Sequence, residues 1–179
     1  MAFIPFKLCF IEAFLRLLNL PKSISVVIFF ALGLSSFGQC ELAISSQGSG
    51  NGCYESIEEI VWTDLINTSA TGNSLLKISG GNNWNGGASS TQVLNHEDYA
   101  YLVVGETTQR KYFGLSPNNS NSSNSSIRHA FYMQNNGNLR IFENGANRGN
   151  FGNYQEGDTL KIVHSENGAR YYRNDEILY

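Results

Sequence analysis

Trp84 stands in the run Asn83-Trp84-Asn85-Gly86-Gly87, a flat aromatic flanked by two amides. An indole can stack on the apolar face of a pyranose, and amides and guanidinium groups can hydrogen-bond the hydroxyls around its rim. Arg110, Tyr112, Tyr132 and Arg140 supply such a set too, from what are expected to be neighbouring strands. The ligand-binding set expected from residue type is therefore Trp84, Asn83 and Asn85 with Arg110, Tyr112, Tyr132 and Arg140, with the Gly86-Gly87 pair as a flexible presenter. A second use of the same residues stays open: Trp84 as a core or lid aromatic, and the tyrosines as strand residues whose hydroxyls reach water.

Reaction chemistry finds less to work with. A retaining glycosidase needs two carboxylates about 5–5.5 Å apart, which on one strand face means acidic residues two or four apart. The chain's one Glu-x-Asp, Glu156-Gly157-Asp158, has the composition of a turn and no third carboxylate after it. His96-Glu97-Asp98 reads as a solvated loop before a strand. His129 and His164 lack any CxxC, HxH or HExxH context, so no metal is expected. No Gly-x-Ser-x-Gly elbow and no phosphate-loop spacing occur. The residues assign no catalytic group and no cofactor, and the expected class is non-enzymatic.

The elements that would position the binding set lie beyond a distinctive N-terminus. Lys7, Arg16 and Lys22 precede an unbroken apolar run from Val26 to Leu34, followed by Ser35-Ser36-Phe37-Gly38. That order is the order of a secretory signal, with Ser36 and Gly38 as the small residues before a cut at Gln39. An uncleaved signal anchor and a start placed too far upstream are the alternatives, since the residues before Lys22 are also apolar. Gln39 is a poor match to a lipid-attachment context for Cys40. Residues 1–38 are thus expected as leader, 39–58 as a Ser/Gly-rich tether and 59–179 as the folded domain. Removing the leader leaves two cysteines, Cys40 and Cys53. In an exported chain the pair reads as one disulfide closing a loop of about a dozen residues, worth about 3 kcal/mol. Two unpaired thiols in a loose segment are the other reading.

From Glu59 onward the pattern is one of short strands: Ile60–Trp62 with Leu65-Ile66, Leu75–Ile78, Tyr99–Val104, Lys111–Leu115, Arg128–Met133, Leu139–Phe142, Leu160–Val163 and Ala169–Tyr172. Turn signals separate them at Thr71-Gly72-Asn73, Asn136-Gly137, Asn144-Gly145, Glu156-Gly157-Asp158 and Asn167-Gly168. Pro117–Ser126 is a polar, low-complexity loop. Asn67, Asn118, Asn121 and Asn124 open N-x-Ser/Thr triplets that are expected to stay unmodified. No window beyond the leader has helical periodicity, so the fold class is all-β, an antiparallel sandwich or barrel. Trp62, Tyr99, Tyr101, Phe113, Phe131, Phe142 and Tyr171 are expected in its core. With 179 residues the chain holds one such domain, and 12 Lys+Arg against 15 Asp+Glu, a net charge of −3, remove the basic footprint of a nucleic-acid binder.

A resemblance runs through the domain. Val61-Trp62-Thr63-Asp64-Leu65-Ile66-Asn67, Gly72-Asn73-Ser74-Leu75-Leu76-Lys77 and Trp84-Asn85-Gly86-Gly87-Ala88-Ser89-Ser90 open it. Phe113–Ser116, Ala130–Met133, Phe142–Gly145, Phe151–Tyr154, Gly157-Asp158 and Tyr171–Asn174 follow in order. Together, from about Ile60 to Tyr179, they resemble a concanavalin A-like, SPRY-like jelly-roll module that recurs in large secreted and cell-surface bacterial proteins. The resemblance implies a secreted or surface-attached module for adhesion or glycan binding. Two departures stand out. Asp175 occupies a place where the family's terminal hairpin has Gly, and the family continues with one or two closing strands past this point. A polysaccharide hydrolase and a truncated remnant of a larger repeat protein are the rival expectations. The partner expected is a glycan or other cell-surface ligand, with membrane contact only through an uncleaved leader.

Overall fold

The computed structural model describes the backbone of residues 24–31, 41–47, 55–117 and 124–179, with side chains from Glu58 onward except 118–124. Cys40, Cys53, the expected cut before Gln39 and the triplets at Asn118 and Asn121 lie outside the described residues. The strands form two antiparallel sheets, and among the described residues there is no α-helix, only a short 3-10 turn at Asn124–Ser126.

The first sheet runs β12 (Ala146–Asn153), β11 (Asn138–Glu143), β10 (His129–Met133), β9 (Arg110–Ser116), β1 (Ile24–Ala31), β7 (Gly86–Leu94) and β4 (Trp62–Ile66). The second runs β15 (Glu176–Ile177), β14 (Gly168–Arg173), β13 (Thr159–Ser165), β8 (Tyr99–Val103), β2 (Glu41–Gln47), β6 (Ser74–Lys77) and β5 (Thr68–Thr71), with β3 (Glu55–Glu58) beside β2. Three of these strands fall in residues 1–58, where the sequence leads one to expect a leader and a tether: β1 in the middle of the first sheet, β2 against β8, and β3 against β2.

Period-2 alternation explains the core. Phe113 and Leu115 on β9, Phe131 and Met133 on β10, and Leu139 and Ile141 on β11 share one buried cluster with Leu75, Ala100, Leu102, Leu160, Ile162 and Tyr171 of the second sheet. Both sheets therefore close on one hydrophobic layer, and the Phe131 ring meets Tyr171 edge-on at 5.2 Å. Of the aromatics expected inside, Phe113, Phe131 and Tyr171 are there, and Trp62 packs half-buried against the margin. Tyr99, Tyr101 and Phe142 depart from the expectation. Their neighbours Ala100, Leu102 and Ile141 take the inward positions, so these rings point to the outer faces. Tyr99 instead packs near Tyr101 at 6.3 Å, and the Lys161 ammonium lies over Tyr99 and Tyr172 at 5.3 and 5.2 Å.

Turn chemistry follows residue type at most joints. Asn144-Gly145 has positive φ at both positions (51° and 78°), as a type I′ turn requires. Asn174-Asp175 does the same at 50° and 64°, so Asp175 adopts the left-handed conformation that Gly would take more readily. Asn136-Gly137 differs: only Gly137 is positive, and the hairpin closes through Gln134 bonded to Asn138. Two buried carboxylates tie matching turns before adjacent strands. Asp98 accepts from the Asn95 amide at 2.7 Å ahead of β8, and Asp158 from the Gln155 amide at 3.0 Å ahead of β13. Glu156-Gly157-Asp158 is thus a turn, and the Asp158 carboxylate also accepts from Asn174 Nδ2 at 2.8 Å.

Candidate functional site

The alternation that sends Phe113, Phe131 and Ile141 inward sends Tyr112, Tyr132, Arg140 and Phe142 to the opposite face of the first sheet. The register then aligns them: Tyr132 stands opposite Tyr112 on β9 and opposite Arg140 on β11. The two phenol rings stack at 4.5 Å with 7° between their planes, and Phe142 meets each edge-on at 5.8 Å. Trp84 lies across this stack, 5.4 Å from Tyr112 and 6.0 Å from Tyr132. The indole is 40% exposed while Tyr112 is only 4% exposed, so Trp84 roofs the stack and is no part of the inter-sheet core. Arg110 belongs to the same face of β9 as Tyr112. Its Nε donates to Asn135 Oδ1 at 3.2 Å, and Arg140 Nε donates to Gln134 Oε1 at 3.1 Å.

Of the seven expected binding residues, five therefore gather on one outer face: Trp84, Tyr112, Tyr132, Arg110 and Arg140. Asn83 and Asn85 have a different task from the one expected. Both side-chain amides donate to the Gly80 carbonyl of their own loop, at 3.4 and 3.3 Å, and Asn85 Oδ1 is buried without a hydrogen-bond partner. The buried Lys77 ammonium donates to the carbonyls of Gly81 at 2.8 Å and Asn83 at 2.6 Å, and its burial lowers its pKa from the ordinary lysine value. Asn67 completes the anchor, donating to the Asn85 carbonyl at 2.7 Å and accepting from Ser79 at 2.7 Å. A loop whose carbonyls converge on one ammonium is fixed, and it fixes Trp84 with it. Gly86 and Gly87 are likewise no flexible presenter. They open β7 as buried strand residues, and a Cβ on Gly86 would sit 2.9 Å from the Lys77 side chain.

A polar cluster escaped the reading of the sequence. Glu143 accepts from Tyr171 Oη at 3.3 Å, lies 3.3 Å from His129 Nδ1, and pairs with Arg148 Nε at 3.3 Å. Tyr171 is fully buried; burial first, and the adjoining carboxylate second, push its phenol far above its usual range, so it remains a donor. His129 faces Glu143 in register across β10 and β11, a relation that only strand pairing reveals. Burial lowers the His129 pKa from 6.5, with Glu143 opposing it in part. The unfolded chain then binds a proton more readily than the folded one. Stability contributed by neutral His129 is present above the ordinary value and is lost as the pH falls through 6.5 toward the lowered folded value. Urea melts at pH 7.5 and about 5.5 should show a loss in the native chain that shrinks in His129→Gln; equal losses in both would mean that His129 is not the group responsible.

Among the described residues no three His, Cys, Asp or Glu side chains are arranged to hold a metal ion, and no helix is long and apolar enough to cross a membrane. Compared with family models, curated proteins and solved structures, the chain matches none.

Proposed function

We propose that this protein is a non-enzymatic binding and adhesion module, exported and held at or outside the cell surface, that takes glycans or similar hydroxyl-rich surface material. In this reading the two packed sheets are a jelly roll of concanavalin A-like type. The ligand lies on the outer face of β9, β10 and β11. The observation that carries the reading is the Trp84 roof over the Tyr112–Tyr132 stack. It is a partly exposed indole held still by a braced loop, with two arginines on the strands beneath. Rigid aromatics lose little conformational entropy on contact, and guanidinium groups can donate to sugar hydroxyls around the ring.

The experiment compares retention and stability in one variant. Removing an aromatic anchor from the centre of a contact typically costs at least about 2 kcal/mol, roughly thirty-fold in affinity. Trp84→Ala should lower retention on a panel of immobilised polysaccharides and intact cells by about that factor. Its melting temperature should fall only modestly, because the indole is 40% exposed. Retention unchanged in the variant, with a large melting shift, would reduce Trp84 to a packing residue and end the proposal for this face.

A further inference from the structure

Ile24–Ala31 reads in two ways. It lies across the expected leader's apolar run, yet the structure seats it as β1 between β7 and β9. Seven consecutive residues, Ser25 to Ala31, pair with Ser116 back to Arg110 on one side. On the other, Ile24 and Ser25 pair with Leu94 and Val93, and after a bulge Val27 to Phe30 pair with Ser89 back to Gly86. On the β7 edge Ile28, Phe29 and Phe30 stand opposite Ala88, Gly87 and Gly86, and on the β9 edge opposite Phe113, Tyr112 and Lys111. The composition, Ile-Ser-Val-Val-Ile-Phe-Phe-Ala, is that of a strand, and eight residues suit a strand but fall well short of the roughly 20 that span a bilayer as a helix. Without β1 the first sheet divides into β12-β11-β10-β9 and β7-β4. Two unpaired edges would then open in its middle, beside core residues Leu94, Phe113 and Leu115, which are fully buried in the whole sheet.

We propose that the gap between β7 and β9 is a strand-acceptor slot fitted to the chain's own Ile24–Ala31, and that this segment stays seated there even after a cut between it and Gln39. Recognition is by backbone pairing on both edges, with the Gly86-Gly87-Ala88 run on the β7 side. The segment thereby acts as a strand of the folded domain as well as an export address.

The test uses the full chain, recovered from the cytoplasm, with Cys9, Cys40 and Cys53 replaced by Ser and a protease site placed at residues 33–36. Ile28→Cys combined with Ala88→Cys should cross-link on mild oxidation. Ile28→Cys combined with Tyr101→Cys, whose partner lies in the other sheet, should show background only. After cleavage of the uncross-linked chain, the N-terminal segment should co-elute with the domain and leave only on unfolding. Val27→Pro, which removes an amide donor from one of the two ladders, should lower the melting temperature. Equal cross-linking of both pairs would overturn the proposal, as would a cut segment that departs from a monomer of unchanged melting temperature. Departure accompanied by dimerisation would overturn it too, giving the slot to a second copy.

Discussion

Glu106→Ala should be among the most damaging single substitutions in the domain, costing about 3–5 kcal/mol and lowering the melting temperature by roughly 6–20 °C. Lys111 on β9 falls on the inward side of the alternation and is 1% exposed, yet it carries an ammonium. Glu106, in the loop between β8 and β9, supplies the opposing charge, and the Glu106 carbonyl accepts from the same Nζ at 3.1 Å. The carboxylate also holds its own loop together, accepting from the amides of Thr108 at 2.6 Å and Gln109 at 3.0 Å and from the Thr108 hydroxyl at 2.8 Å. Removing it strands a buried charge and frees the loop at once. A charge cycle separates the two effects. Glu106→Ala with Lys111→Met should recover most of the loss, because an apolar chain of similar length needs no counter-ion. What remains unrecovered, about 1–2 kcal/mol for lost loop hydrogen bonds, belongs to Thr108 and Gln109. A double variant no more stable than Glu106→Ala would show that the carboxylate acts through its loop alone.

That pair also marks where legibility in the sequence ends. Lys111–Leu115 reads as a strand because Tyr112, Phe113 and Leu115 favour one, but nothing local says that Lys111 turns inward; the partner that makes its burial tolerable lies in a preceding polar loop. The same holds at Lys77, whose ammonium draws loop carbonyls together and so decides what Asn83 and Asn85 do. Strands rich in aromatic and β-branched residues, such as Tyr99–Val103 and His129–Met133, are visible in sequence, as are the residue types at the turns. β7 is not. Gly86-Gly87-Ala88-Ser89-Ser90 has the composition of a loop, yet its backbone is a strand flanked on both sides by β1 and β4. Small residues there answer to tertiary fit rather than to propensity. β12 is hidden for another reason: Gly149 and Gly152 at φ 135° and 86° bend an exposed edge strand that has no alternating pattern. At the candidate site the aromatic and Arg types could be chosen from sequence by their chemistry alone, as stacking rings and hydrogen-bond donors. Their meeting depends on the β9–β10–β11 register, which no single run contains.

One methyl group tests that register. Gly114 faces outward on β9 opposite Ala130, beneath the buried Ile127. Its φ is not positive, so the requirement for glycine is space rather than backbone freedom. A Cβ there would stand 2.3 Å from the His129 carbonyl oxygen and 2.5 Å from Ile127 Cγ2. The carbonyl is backbone and cannot swing aside without parting β9 from β10, so Gly114→Ala should cost at least the upper end of the usual 1–3 kcal/mol for overpacking. Gly157→Ala is the matched control. It has nothing within 4 Å, and its φ of 87° alone should cost about 1–2 kcal/mol. The two variants should differ in kind as well as size. Separating β9 from β10 pulls Tyr112 away from Tyr132, so Gly114→Ala should weaken the near-ultraviolet dichroism of the stacked rings and speed amide exchange along both strands, while Gly157→Ala leaves both unchanged. If Gly114→Ala melts no lower than Gly157→Ala and keeps the aromatic signal, then β10 does not lie against β9 at this register, and the stack on which the binding face depends is lost with it.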